Sequence, residues 1–576
     1  MIVLALGVTF ALYAMTLTRG LVNYDDPWLI QSNWLATHPS WHSLHAICCE
    51  LGQTTRFALG AEYLPVRDVS VMADAAVWGS WYGGFHLTNV LLYGGAIVVW
   101  FAALCAFGVD RRLAGAAILL WALHPAHAES VAWLSERKGL LGALFTGVAA
   151  LGYAKFRGGA PRSIGWLVLA ALCGTLAIWS KALSAFALAS LAALELALPE
   201  LRRSWRRSFI GLATIGACAL LAFVPVVIVA RHLSVVSDTP QGPAPGLVNA
   251  LGLHGFYVRM ALFGVRNAVS YPVAISGPTT LDVIIGVVAL AGLVGLLVRG
   301  TPVLRAGAAL WLVGFVPLSR LVMPVRGVVV ADRYLLIPSL GIALLVAAGV
   351  LALRQPRARA ALLVVIVFAA ALRTLDAQAN WQDAMTLWQR ATEVTPADGD
   401  AWSMYADALD EAGESQQAIE AVIRGMHYTK SPRLLLRVAL LANEHGDPVR
   451  GEHLMREAAA GGEPKAMANV AVIDLAAGHV ADALVWARKT TQAAPLYANG
   501  QRIHGKVALA AGNAEEARTA FEQALALEPG NRANRLNLAL ALIQLGHRDE
   551  ARPYLEACLS DPQLADRARA LLGTAP

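Results

Sequence analysis

From Met1 to about residue 375 the chain passes through one apolar run after another, with Arg-rich clusters set between them. A helix needs about 20 apolar residues to cross a bilayer, and within hydrocarbon only helices or closed barrels satisfy their own backbone hydrogen bonds. Eleven runs of adequate or nearly adequate length lie near 1–20, 86–107, 113–124, 139–154, 164–180, 183–199, 208–230, 281–298, 306–319, 334–353 and 360–375. The pattern predicts an all-α, polytopic membrane bundle over residues 1–376. The composition agrees: 57% of residues are hydrophobic and 15% charged, with a mean hydropathy of +0.53, too apolar for an ordinary soluble protein. Residues 247–272 are apolar but carry His254, Arg259 and Arg266, and read as an interfacial or partly re-entrant helix.

Lys and Arg set the orientation. The loops 109–112, 155–162, 201–207, 298–305 and 354–359 are basic and fall on one side, which should be cytoplasmic. With eleven spans the N-terminus is cytoplasmic and the segment after the last span is on the far side. The first run lacks a basic leader and a small-residue cleavage site before Gly20, so it reads as a span and not as a secretory signal. The net charge of +6 follows from these loops. No basic stripe interleaves with aromatics, which argues against a nucleic-acid partner. The six cysteines form no CxxC and no disulfide framework.

After Ala377 the composition changes, and residues 377–576 read as a separate soluble solenoid. Gly413, Gly446, Gly478, Gly512 and Gly546 recur at intervals of 33, 32, 34 and 34 residues, each followed five residues later by Ala418, Gly451, Ala483, Ala517 or Ala551. This is the period of tetratricopeptide repeats. Five repeats over 400–565 are expected, preceded by a half-repeat at 381–396. Stacked repeats present a surface for protein or peptide.

Polar groups of the membrane part gather in the far-side segments. The first of these, 21–85, opens with "NYDDP", holding Asp25 and Asp26, and closes near His86 and Asn89. A second, "HPAHAESVAWLSERK" (124–138), holds His124, His127, Glu129, Arg137 and Lys138. Lys181 ends a span, and Asp332 and Arg333 stand in "VADRY". Taken singly, each has a structural explanation: an aspartate capping a helix, or a lysine snorkelling to the interface. His124, His127 and Glu129 also offer three ligands for a divalent metal ion, although Pro125 breaks the register between the histidines. Placed together on one side, the groups read as a site at the membrane surface. Lys181, Arg137, Lys138 and Arg333 suit the phosphate of a lipid-linked sugar. One carboxylate of the Asp25–Asp26 pair suits a general base, since its neighbour's charge raises its pKa.

These segments also carry a resemblance. "NYDDPWLIQSN", "FHLTN", "LHPAHAESVAWLSERK", "SYP", "ADRY" and "NWQDAMTLWQRATEVTP" occur in the order found in bacterial members of the transmembrane-and-tetratricopeptide-repeat O-mannosyltransferase family. The resemblance covers nearly the whole chain. It implies a GT-C-like enzyme that takes a hexose, mannose included, from a polyprenyl phosphate and places it on Ser or Thr of exported proteins. It further implies a bacterial inner-membrane location with periplasmic repeats, a catalytic role for Asp25 or Asp26, and a site shaped by His124, His127, Glu129 and Arg137. The chain departs from the family in having Gly139 where an acidic residue often follows "SERK", and Ala182 where a proline often follows the span-end lysine. Two alternatives stay open: a membrane-anchored repeat scaffold without catalysis, and a surface-polysaccharide ligase or polymerase.

Overall fold

The computed structural model describes residues 1–198, 204–233, 246–322, 328–444 and 446–573. Residues 201–203 of the basic loop 201–207, and parts of the far-side segments 231–280 and 320–333, lie outside the described residues. The described chain is helical with no strand, and it divides into two compact units. One comprises residues 1–49, 63–228 and 240–395; the other comprises 50–62, 229–239 and 396–576.

The first unit is a membrane bundle. Among the described residues seven helices are long and apolar enough to cross a bilayer: Tyr82–Ala106, Leu134–Arg157, Ser163–Ser180, Trp205–Arg231, Thr280–Arg299, Pro302–Ser319 and Pro356–Ala379. The eleven expected spans thus reduce to seven by length. Three others are shorter apolar helices, Ile2–Thr18, Ser184–Ala197 and Ser339–Leu351, and the run at 113–124 forms the 12-residue helix Arg111–Ala122. The reason is local chemistry at the ends. Asp110 starts Arg111–Ala122 by accepting from the Arg112 and Leu113 amides. The run near 334 opens as a tight turn, Asp332–Leu335, and Pro338 delays the α-helix to Ser339.

The core of this unit holds Trp100, Trp121 and Trp311, all nearly inaccessible. Their indole N–H groups are spent on Ala143 O (3.0 Å), Leu336 O (2.7 Å) and His254 Nε2 (2.9 Å). Leu247–Ala261, the segment read as interfacial, is a 15-residue helix packed along Thr280–Arg299. Two glycines permit the contact. A Cβ at Gly255 would stand 1.8 Å from Asp282 O, and one at Gly286 would stand 1.9 Å from Leu251 O.

In the second unit five helix pairs follow the 34-residue period, from Gly399–Glu411 with Ser415–Tyr428 to Arg532–Gln544 with Arg548–Cys558, and Ala565–Gly573 closes the series. The composition changes at Ala377 but the packing changes at Thr395, because the helix Ala384–Val394 belongs to the membrane unit. The turn glycines all have φ between +77° and +83°, with open space where a Cβ would be. Glycine is needed there for its backbone freedom and not for room. The small residues five positions on are buried. Gly512→Ala should therefore cost the repeats about 1 kcal/mol, and Gly512→Asn less, because asparagine tolerates the left-handed region. Denaturant unfolding of the full chain, followed by proteolysis within the repeats, reads this difference; equal losses for both variants would refute it.

Candidate functional site

Asp26 is 1% exposed and fully engaged. Its Oδ2 accepts from the Val22 amide at 3.1 Å, and its Oδ1 accepts from the Ser135 amide at 3.0 Å and the Ser135 hydroxyl at 2.5 Å. The carboxylate thus ties the first loop to the "SER" stretch. Asp25, next in sequence, is the more accessible of the two. The expected carboxylate pair therefore separates into a buried clamp and a half-exposed neighbour.

Three rings connect this loop to the cations. Tyr24 stacks on Trp133 with centroids 4.9 Å apart, and the Arg333 guanidinium lies 5.3 Å from the Trp133 centroid and 5.2 Å from that of Tyr334. Burial pushes the Tyr24 hydroxyl up to about 12, with Arg333 opposing and Asp25 and Glu129 adding to the rise. Arg333 is held by Glu129, which pairs with its guanidinium and accepts from its amide at 2.8 Å. Its Nε is also 3.8 Å from Glu136. Glu136 pairs in turn with Lys181. Burial pushes the Lys181 ammonium down while Glu136 resists that shift. Lys138 is half-buried within electrostatic reach of Lys181 and Tyr334.

Lys181 and Arg333 line one small recess, whose remaining wall is largely apolar and includes Leu183, Phe186, Pro317, Leu318 and Leu336. Two cations beside an apolar wall can bind an anionic head group while an apolar chain lies against that wall. Asp332, beside them, accepts from Asn267 Nδ2 at 2.7 Å and from the Tyr271 hydroxyl. Burial, together with the charge of Glu129, pushes its carboxyl up to about 8.

The other expected site residues take up framework positions. Arg137 is 1% exposed and spends its guanidinium on Asn89 Oδ1 (2.8 Å), Phe85 O (2.9 Å), Ser70 O (3.2 Å) and Asp74 (2.5 Å). It is absent from the recess lined by Lys181 and Arg333. Asn89 also donates to Val131 O at 3.3 Å, and His86 bonds Gly20 O at 3.4 Å. His124 bonds Ala261 O at 3.0 Å; His127 lies between the Tyr93 hydroxyl (2.7 Å) and the Ser339 hydroxyl (2.9 Å). With Glu129 committed to Arg333, the His124–His127–Glu129 triplet does not fit a divalent ion. Among the described residues no group of three or more His, Cys, Asp or Glu is placed to hold a metal.

Several contributors were not among the expected site residues. Ser135 sits inside the charged stretch, where nothing marks it as an aspartate's partner. Trp381 stacks on Trp133 at 5.3 Å, and Trp388 meets Tyr24 edge-on at 5.5 Å.

The Asp26 clamp makes a pH prediction. Burial raises the carboxyl to about 6, against about 4 for an exposed aspartate. An acid that keeps its proton longer when folded contributes fully below about pH 4, and that contribution is lost as pH rises through about 6. Between pH 4 and 6.5 the wild-type protein should therefore lose about 2 to 3 kcal/mol relative to Asp26→Asn, which does not titrate. Melting temperatures of the two proteins across that range test this, and parallel profiles would refute it.

A family model described as tetratricopeptide repeat matches residues 508–575. The chain is 24% identical over 391 residues to protein O-mannosyl-transferase TMTC3 of Mus musculus, an alignment covering 60% of this chain and 42% of that protein. It is 39% identical over 116 residues to TMTC4 of Homo sapiens (17% and 16%), and 31% identical over 187 residues to TMTC2 of Mus musculus (31% and 21%). Among solved structures, ArnT from Cupriavidus metallidurans bound to undecaprenyl phosphate aligns over 81% of this chain and 79% of that one, at 16% identity and a TM-score of 0.35. The chain spans less than half the length of the curated relatives it matches.

Proposed function

We propose that this protein is a membrane glycosyltransferase of GT-C type that moves a hexose from a polyprenyl-phosphate donor to Ser or Thr of exported proteins. The observation that carries the reading is the recess lined by Lys181 and Arg333, joined through Trp133 and Tyr24 to the loop that bears Asp25. The names of the relatives, protein O-mannosyl-transferases, make mannose the first donor sugar to test. The basic loops support an orientation with the segment after the last span on the far side, which in a bacterial inner membrane is the periplasmic face. The repeats hold the acceptor chain.

In this reading the polyprenyl tail lies along the apolar wall and the phosphate meets Lys181 and Arg333. Asp25 takes the proton of the acceptor hydroxyl. The hydroxyl oxygen forms a bond to the anomeric carbon as the bond from that carbon to the phosphate oxygen breaks. Polyprenyl phosphate departs with the electron pair, its growing charge met by the two cations. Asp26, with its lone pairs committed to Val22 and Ser135, fixes the loop. Glu136 and Glu129 hold the cations in place between turnovers.

The test is transfer by the full-length protein in lipid nanodiscs, from defined polyprenyl-phosphate hexoses to a panel of Ser/Thr peptides. Asp25→Asn should lower kcat by about a hundredfold or more, the usual contribution of a positioned base. Lys181→Met and Arg333→Met should raise the KM for donor by about tenfold each, with the loss of one charge-assisted contact. Full activity in Asp25→Asn, or no transfer by the wild type from any donor, would overturn the reading. The second result, with peptides still bound by the repeats, would favour the anchored scaffold. Transfer confined to glycan acceptors would favour the polysaccharide ligase.

A further inference from the structure

The stretch between the membrane helix Pro356–Ala379 and the first repeat, residues 380–395, looks from its composition like a connector. Its packing gives it another role. The indole N–H of Trp388 donates to Asn23 O at 3.3 Å, and its ring meets Tyr24 edge-on. Asn23 and Tyr24 are the two residues immediately before Asp25. On the other side of Asp25, Asp26 is held by Ser135. Asp25 is thus fixed between two clamps, one from the charged stretch and one from residues 380–395.

The same stretch reaches the cationic end of the site. Trp381 stacks on Trp133, the ring that carries the Arg333 guanidinium on its face. Asn380 donates to Asn267 O at 3.0 Å, and the Asn267 side chain donates to Asp332, the neighbour of Arg333. The stretch is itself anchored. Arg19 donates to Gln378 O at 2.7 Å, Arg390 pairs with Asp376 at 2.7 Å, and the Thr395 hydroxyl donates to Ser270 O at 2.9 Å. An amphipathic helix burying Leu387, Trp388 and Ala391 would find an apolar partner in many places. This one spends its one indole donor on the backbone of the acidic loop.

We infer that Trp388, supported by Trp381, is a positioning residue for Asp25, and that residues 380–395 are part of the site's machinery and not a spacer. The role in turnover rests on the transferase reading above; the clamp itself does not. The stretch ends at Thr395, one residue before the second unit begins. Strain transmitted along the chain from an occupied repeat array therefore arrives first at the element that holds the base.

Trp388→Phe in the full-length protein keeps an aromatic ring and removes the N–H. Deuterium exchange in peptides covering residues 21–31 should rise, with peptides from 480–530 unchanged. The kcat should fall by about tenfold to a hundredfold, the range expected when a reacting group is misplaced by about an ångström, while donor KM stays as in the wild type. Unchanged exchange in residues 21–31 refutes the clamp, whatever the activity. Raised exchange with an unchanged kcat in an active enzyme refutes the positioning role. A wild type that transfers no sugar refutes the proposed function and leaves the exchange result to decide the clamp. Should Trp388→Phe fail to fold, Trp381→Phe gives the same two readouts, because Trp381 supports Trp133 from the same stretch.

Discussion

Charge compensation under burial is the constraint from which the membrane unit is built. Glu129 and Glu136 are nearly inaccessible, and Arg333 is 9% exposed. An ion in that setting carries a desolvation cost of several kcal/mol unless a partner of opposite sign sits beside it. Removing any one member leaves another less well compensated, so each ion depends on its neighbours. Its geometry also brings together distant parts of the chain: Glu129 and Glu136 from one stretch, Lys181 from a span end, and Arg333 from a turn two hundred residues later. The pairing therefore determines which helix ends meet, and the recess between them follows.

Aromatic rings do the complementary work of transmitting position without charge. Tyr24, Trp133 and Trp381 form a short stack, and Trp388 closes on Tyr24 from its edge. Rings are stiff and have few rotamers, so a shift at one end is not absorbed along the way. Arg333 sits on the same stack, which places a cation and an acidic loop under one mechanical constraint. The two kinds of interaction meet at the "AWLSER" stretch, where Trp133, Ser135 and Glu136 each bind a different partner.

Much of this was legible in the sequence. Glycine spacing was enough for the repeats, because the turn needs a positive φ that only glycine adopts easily, and the pairing of helices follows from it. Apolar run length marked the bundle, although it overstated the helices wherever a proline or an N-cap delayed the start, as at Pro338 and Asp110. Lys181 and Arg333, which the sequence reading set on one side, line one recess. What composition could not separate was duty from residue type. Arg137 and Lys181 look alike in sequence, yet the first is consumed by Asp74, Asn89 and two carbonyls while the second lines the recess. Nor does anything in "HPAH" say that each imidazole is spent on a carbonyl or hydroxyl from another helix. Those assignments depend on tertiary neighbours that local pattern does not encode.

The contact at Gly255 and Gly286 has a consequence for motion within the membrane unit. Where two helices touch through bare backbone, there is no side-chain layer to shear, and neither can turn about its own axis without collision. Leu247–Ala261 and Thr280–Arg299 are in effect one mechanical member, a double-width beam. Any opening of the bundle would have to occur along some other seam.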